Sequence, residues 1–352
     1  MGTCRSFLVF SVAFGSVVAF IGHHECLGEV KEVARLASGA NAEKWKLSEN
    51  GSFVAILPNR PASTGKRELT IYDTRTAKAV FVLEGYPIPL QLSDDGNTVL
   101  AQSGKTGRIE LWTRSQDDEL RLTQLSDEVI DCASLSPDGA VIAYSSSNGT
   151  SLRKVDGELR TLIDRRPITY GGIYFSANSM SVAGTFGSEI CVCDVKSARI
   201  HFSHKLPRLW QAEMSLSRSG EVLAAGVGLN GEPGRTGQSV EIWSVLSKMQ
   251  IDHFVVPALV RTRPILSPSG KRVAFIGSID SSDFVIRVYD VGIGNVTIHE
   301  LKREHIQGLG KVTGFPEIAF PKDDQIVLVC NDGVVRCWKL TDEHQSSLLD
   351  RK

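Results

Sequence analysis

Cysteine is scarce, 7 residues in 352, and neither sign of charge dominates: 39 Lys and Arg stand against 40 Asp and Glu, a formal net charge of −1. Without a basic excess the usual ground for a nucleic-acid partner is missing, because such binding runs on displacing counterions from phosphates. The few cysteines fall at irregular spacing in a chain long enough to bury a real core, so they do not read as a disulfide framework. Also absent are G-x-S-x-G, H-E-x-x-H and C-x-x-C, which leaves nucleophilic and zinc chemistry without a local signature. No long segment keeps a 3.6-residue period. What remains, 42% hydrophobic and 22% charged, is the composition of a folded globular protein.

The amino terminus reads as an address. Arg5 precedes 17 uncharged, mostly apolar residues from Ser6 to Gly22, the n-region and h-region pattern of a secretory signal. That run is short for a membrane span, which takes about 20 residues. Cys26 and Gly28 are small residues two positions apart, so cleavage after Gly28 satisfies the small-x-small requirement. Residues 1–28 are therefore expected to be a signal peptide and the protein exported, periplasmic or secreted; the alternative is an uncleaved membrane anchor at residues 6–22. His23, His24 and Glu25 ahead of Cys26 do not fit a lipoprotein signal.

Beyond it, one short phrase recurs: an apolar residue, usually Ser, two variable residues, then usually Gly. The copies begin at Leu47, Leu92, Leu135, Phe175, Leu216, Leu266 and Phe320, at spacings of 45, 43, 40, 41, 50 and 54 residues. Each is a turn followed by a β-rich run, and then by a second strand. Most second strands alternate and end on an aromatic, as in Leu69–Asp73, Ile109–Thr113, Val240–Ser244, Val285–Asp290 and Val334–Lys339; Arg153 and Cys193 occupy that place in two degenerate copies. Four short strands fit in each repeat, and one such sheet cannot bury both faces alone, so the units must stack around an axis.

These features predict an all-β fold, a seven-bladed β-propeller of four-stranded antiparallel blades over residues 29–340, with a polar tail at 341–352. Phrases such as Leu135-Ser136-Pro137-Asp138-Gly139 and Asn331-Asp332-Gly333-Val334-Val335-Arg336-Cys337-Trp338 resemble the WD40-like propellers, and Leu266–Val291 is also similar to repeats of exported TolB-type propellers. The chain departs from the WD40 pattern in that no repeat has the Gly-His dipeptide, and the Asp after the aromatic survives only at Asp73, Asp194 and Asp290. Residues Glu29 to Leu36 are expected to close the ring as the outer strand of the last blade, beside the strand around Trp338.

Several local patterns have plainer readings than they first suggest. Gly226-Val227-Gly228-Leu229-Asn230-Gly231 matches a dinucleotide fingerprint, but Glu232-Pro233-Gly234 follows where a helix must open. Ser103-Gly104-Lys105-Thr106 reads as a hairpin turn. Cys191 and Cys193 share one strand face with no second pair to complete a zinc set, and His201 and His204 are set in a strand where a three-residue step separates their faces. Asn50, Asn148 and Asn295 head glycosylation sequons. Neither a cofactor nor a metal is expected, and the chain is expected to be monomeric.

The connections leading into each innermost strand emerge on one face of such a ring, and here they carry Arg165, Arg166, Lys205, Arg208, Arg261, Arg263, Lys302, Arg303 and Lys311, with Tyr170 and Trp210 among them. A basic sector with aromatics suits an acidic partner, and Arg, Tyr and Trp are the residue types enriched at binding hot spots. The resemblance implies a non-enzymatic scaffold for protein interaction that uses this lead-in face, with Arg165, Arg166, Tyr170, Arg208, Trp210, Arg261 and Arg263 as the candidate contacts. The alternative is an exported propeller enzyme or small-ligand binder with its site at the axial channel. Convergent carboxylates there would mark it, whereas the sequence around the seven motif copies offers chiefly apolar residues and Ser.

Overall fold

In the computed structural model the described residues are 30–35, 42–58, 67–125, 129–157, 159–163, 172–187, 189–205, 212–228, 238–256, 263–280, 283–292, 297–302, 316–330, 332 and 334–340. The signal region and the tail at 341–352 lie outside them. Strand β1 (Val30–Arg35) comes first. Blade 1 is β2 (Ala42–Leu47), β3 (Phe53–Pro58), β4 (Glu68–Asp73) and β5 (Ala79–Glu84); blade 2 is β6 (Pro87–Leu92), β7 (Thr98–Ser103), β8 (Ile109–Arg114) and β9 (Leu120–Gln124). Blade 3 is β10 (Ile130–Leu135), β11 (Val141–Ser146), β12 (Gly149–Lys154) and β13 (Leu159–Ile163); blade 4 is β14 (Tyr174–Phe175), β15 (Ser181–Phe186), β16 (Glu189–Asp194) and β17 (Arg199–Lys205). Blade 5 is β18 (Ala212–Leu216), β19 (Val222–Gly228), β20 (Gln238–Ser244) and β21 (Met249–Val256); blade 6 is β22 (Ile265–Leu266), β23 (Arg272–Asp280), β24 (Asp283–Asp290) and β25 (Thr297–Lys302). The last blade holds β26 (Glu317–Lys322), β27 (Gln325–Val329) and β28 (Val334–Lys339), with β1 as its outer strand in the order β1-β28-β27-β26. Val30 pairs with Trp338 and Arg35 with Val334. The chain is a seven-bladed β-propeller.

The recurring phrase now has a physical cause. Its serine is buried in all six copies that have one, at 0–1% exposure, so its hydroxyl must find partners. Each hydroxyl accepts the backbone N–H five residues on: Phe53 N to Ser48 Oγ at 3.1 Å, Thr98 N to Ser93 Oγ at 2.9 Å, Val141 N to Ser136 Oγ at 2.8 Å, and likewise Ser181 to Ser176, Val222 to Ser217 and Arg272 to Ser267. In four blades the same hydroxyl donates to the Asn or Asp two residues later: Asn50, Asp95, Asp138 or Asn178. This pins the turn that joins the first two strands of a blade.

The turns also lock to one another. Asn50 N donates to Asp94 Oδ1 (2.9 Å), Asp94 N to Pro137 O (2.6 Å) and Asp138 N to Ser179 Oγ (3.0 Å), stepping from blade 1 to blade 4. Asn178 N to Arg218 O (3.1 Å), Arg218 N to Pro268 O (2.9 Å) and Ser269 N to Asp323 Oδ1 (2.9 Å) carry the chain of contacts on to blade 7. Asn50 has its side-chain amide committed to Ser48, Ser52 and Asp94, which does not suit a glycan acceptor.

The hydrophobic core is divided among the blade junctions. The aromatic that ends the third strand packs against the preceding blade: Tyr72 against Ala319, Val329 and Val335, Trp243 against Ile190, Val192 and Phe202, Tyr289 against Ala224 and Ile242, and Trp338 against Ile286, Val288 and Leu301. Burying a large apolar side chain contributes about 1.5–3 kcal/mol, so these rings hold wedge to wedge. The outer strand takes a register shift beside that position in blades 1, 4, 5 and 6, at Tyr72, Cys193, Trp243 and Tyr289.

The motif glycine sits where the preceding blade comes closest. Gly220 has φ +78°, and a Cβ there would lie 2.5 Å from Ser181 Oγ. Gly187 also has positive φ, +62°, but nothing within 4 Å. Gly187→Ala is expected to cost about 1 kcal/mol from backbone strain alone, and Gly220→Ala about 2–4 kcal/mol, because Ser181 or the turn must also shift. Urea midpoints of the two variants measure the difference; equal losses would remove the close-approach explanation.

Candidate functional site

Residues of five blades can converge in a propeller only at its axis. A cavity of about 350 Å³ is lined there by Lys46, Leu47, Ser48 and Glu49 of blade 1, Gln91 of blade 2, Glu213 of blade 5, Arg263, Ile265 and Ile276 of blade 6, and Pro316 to Ala319 of blade 7. Its charges follow the repeat. Counting back three residues from the apolar residue of each motif gives Glu213, Arg263 and Glu317 in three consecutive blades, one rung of alternating sign at the lead-in end of the inner strands. One residue back gives Lys46, Gln91, Ser134, Tyr174 and Ser215, the next rung. Period-two alternation puts both rungs on the same face of each strand.

These side chains stitch neighbouring blades. Lys46 Nζ donates to Glu317 Oε1 and Oε2 at 3.3 and 3.2 Å. Gln91 Oε1 accepts from Ser134 Oγ (2.7 Å) and Leu135 N (3.0 Å), and Ser215 Oγ accepts from Leu266 N (3.1 Å). The Tyr174 hydroxyl donates to Glu213 Oε2. The space Tyr174 needs comes from Gly172, where a Cβ would lie 2.7 Å from the Tyr174 oxygen.

Arg263 is the one candidate lead-in residue among the described residues; Arg165, Arg166, Tyr170, Arg208, Trp210 and Arg261 lie outside them. It turns inward. Its Nε donates to Met214 O at 3.0 Å, its guanidinium carbon stands 4.7 Å above the Tyr174 ring centre, and its terminal nitrogen lies 3.8 Å from Glu49 Oε2. Burial works against its charge, but Glu49, Tyr174, Glu317 and Glu213 outweigh that and hold it protonated. The same burial, reinforced by Glu213, raises the Tyr174 hydroxyl well above its ordinary value, so it serves as a donor.

The expectation of an axis lined by apolar residues and Ser is therefore not met: three carboxylates and two cations meet there. Glu213, Arg263 and Glu317 stand in segments with no shared local sequence, and only the alignment of the repeats puts them on a common rung. Counting back from the motif would have found Glu213, Arg263 and Glu317.

Two thiols among the described residues are held unreactive by burial. Burial pushes Cys193 up to about 12 and, with Asp131 adding, Cys132 up to about 11, so both stay protonated near neutrality. Among the described residues no group of three or more His, Cys, Asp or Glu is placed to hold a metal ion. His204 lies against the Trp243 ring, 4.1 Å between centres, which is a packing role.

At the far end of the axis the turns add Asp94, whose carboxyl is pushed up to about 7. Burial is the main cause; Glu49 and Asp95 add to it, while the Asn50 N–H bond and Arg218 oppose it. The native state therefore keeps a proton that the unfolded chain releases near 3.8. A raised carboxyl contributes stability in full below the unfolded value and loses it as pH rises through the folded one. Urea midpoints are expected to fall between about pH 4 and 7 more steeply for the wild type than for Asp94→Asn, whose side chain keeps an oxygen for Asn50 N–H. Parallel profiles would contradict this.

No family of sequences matches this chain, and no curated protein does. Solved structures match in large numbers, 1304 chains, so likeness of this kind identifies an architecture and nothing narrower. One of them, KlHsv2 with loop 6CD replaced by a Gly-Ser linker, is similar at 15% identity and a TM-score of 0.61, over 87% of this chain and 95% of that one. At that identity the likeness concerns the fold.

Proposed function

We propose that the chain is a non-enzymatic, exported, WD40-like propeller that serves as a rigid platform for a protein partner and presents its lead-in face to it. The observation that carries this reading is the asymmetry of the two ends. On one, the turns after the inner strands are short, repeat the same serine geometry and bond to each other. On the other, the connections at 164–173, 206–211, 257–264 and 303–316 share neither length nor sequence. Variable connections held by a fixed ring are where binding residues are usually placed. Their sequence carries Arg165, Arg166, Tyr170, Arg208, Trp210 and Arg261, a set suited to an acidic surface. Arg263 also lines the axial cavity. WD40-like phrasing at Leu135–Gly139 and the Arg5–Gly22 pattern support the family resemblance and the export.

A second reading is favoured by one observation: convergent carboxylates at the axis are the mark of a channel that takes a small ligand. Both sites can belong to one molecule.

Two experiments test the platform. Amino-terminal sequencing of the protein from its native source is expected to begin at Glu29; an intact amino terminus in the membrane fraction would replace export by anchoring. Affinity capture is expected to yield a partner that an Arg165→Glu, Arg166→Glu, Arg208→Glu variant loses while its thermal unfolding stays unchanged. A partner retained in full by that variant would sink the proposed face.

A further inference from the structure

The cavity at the axis has unused hydrogen-bonding capacity of both signs. Among the described residues, Arg263 spends only its Nε on a hydrogen bond, and its two terminal nitrogens have no acceptor within hydrogen-bond reach. Its side chain keeps 29% exposure, so a ligand can touch it. On the acceptor side, Glu49 has the 3.8 Å ion pair with Arg263 and no hydrogen bond, and Glu213 takes the Tyr174 hydroxyl on one oxygen and has no cation within ion-pair distance. Lys46 and Glu317 satisfy each other. The two spare groups that attract opposite charges therefore sit side by side, a guanidinium fork flanked by two carboxylates.

A neutral ligand would leave the long Arg263–Glu49 pair and the second oxygen of Glu213 without charge-matched hydrogen bonds, and a simple anion or a simple cation would satisfy one sign while facing the other. A zwitterion answers both. The lining as a whole carries three carboxylates, Glu49, Glu213 and Glu317, against Lys46 and Arg263, which leaves one negative charge for the ligand to balance. A zwitterion with one further positive group is the matching charge pattern. The cavity's 350 Å³ lies at the small end of ligand sites, roughly 300–1,000 Å³, enough for a molecule of about ten non-hydrogen atoms.

We propose that the axial cavity binds a cationic α-amino acid, with its carboxylate on the guanidinium fork of Arg263 and its two ammonium groups on Glu213 and Glu49. This rests on the reading of the axis as a small-ligand site. Bidentate contact between a planar guanidinium and a carboxylate is the strongest single interaction available there, and Tyr174 beneath Arg263 keeps the fork oriented. Entry of the ligand carboxylate draws Arg263 from its long contact with Glu49, which frees that carboxylate for an ammonium.

Isothermal titration of the full chain with L-lysine tests it. Saturable one-to-one binding is expected, with cadaverine, which lacks the carboxylate, and L-norleucine, which lacks the side-chain ammonium, each weaker by about tenfold or more. Glu213→Gln is expected to weaken L-lysine by a similar factor while the variant still unfolds in one cooperative transition, since the amide oxygen can still accept the Tyr174 hydroxyl. Arg263→Lys should abolish the preference for L-lysine over cadaverine. No binding up to about 10 mM L-lysine, or equal binding by Glu213→Gln, would overturn the proposal. A thermal-shift series with inorganic phosphate and glucose separates the two levels. Stabilisation by either that Arg263→Lys removes keeps an axial ligand site and rejects the amino acid; silence of every probe rejects both.

Discussion

A propeller blade is a sheet with two faces to bury and only its neighbours to bury them against, so every blade must hold a fixed angle and distance to the next. In this chain that requirement is met by a hydroxyl. Ser48, Ser93, Ser136, Ser176, Ser217 and Ser267 are each fully enclosed, and each satisfies the backbone N–H that starts the following strand. An alanine there would leave that buried N–H without its partner, which costs about 1–3 kcal/mol. With the turn set, its outward backbone groups reach the next turn, and the aromatic of the third strand, in the blades that have one, meets the preceding sheet at the right depth. Blade 7 has Pro321 in place of the serine, and it is also the blade whose outer strand is borrowed from the other end of the chain.

The repeat made the architecture legible because its parts are tied to backbone geometry. Serine, the turn glycine with positive φ and the terminal aromatic each answer a need that recurs at every junction, so the same residue types recur. Ser179 shows the tolerance of the rule: it takes φ +62° where other copies have glycine, and its hydroxyl accepts from Asp138 N of the preceding blade. The borrowed strand was legible for a related reason, since a lone β-rich segment before the first repeat has only one open edge to fill.

The axial charges were not legible in the same way. Glu213, Arg263 and Glu317 differ in type and in local sequence, and no turn or core requirement calls for them. What they share is a count back from the motif, which gains meaning only when seven inner strands stand around one line. Arg263 illustrates the difference most plainly. Read along the chain, it is the second arginine of a basic stretch with Arg261; in space it crosses above Tyr174 and faces Glu49 of a blade two places on around the ring.

The pairing of Val30 with Trp338 joins residues from opposite ends of the chain, and this shapes the order of folding. Strands within a blade are local and can form as they emerge from synthesis, but the last blade lacks a quarter of its sheet until the first strand returns to it. Contacts of such sequence separation are slow to form. Until then β28 presents an open edge, and blades 1 and 7 meet through contacts such as Tyr72 on Val329 and Lys46 with Glu317 without the strand that completes the sheet. Pairing of β1 with β28 is therefore expected to come late, and the sheet of the last blade is whole only when both ends of the chain are in place.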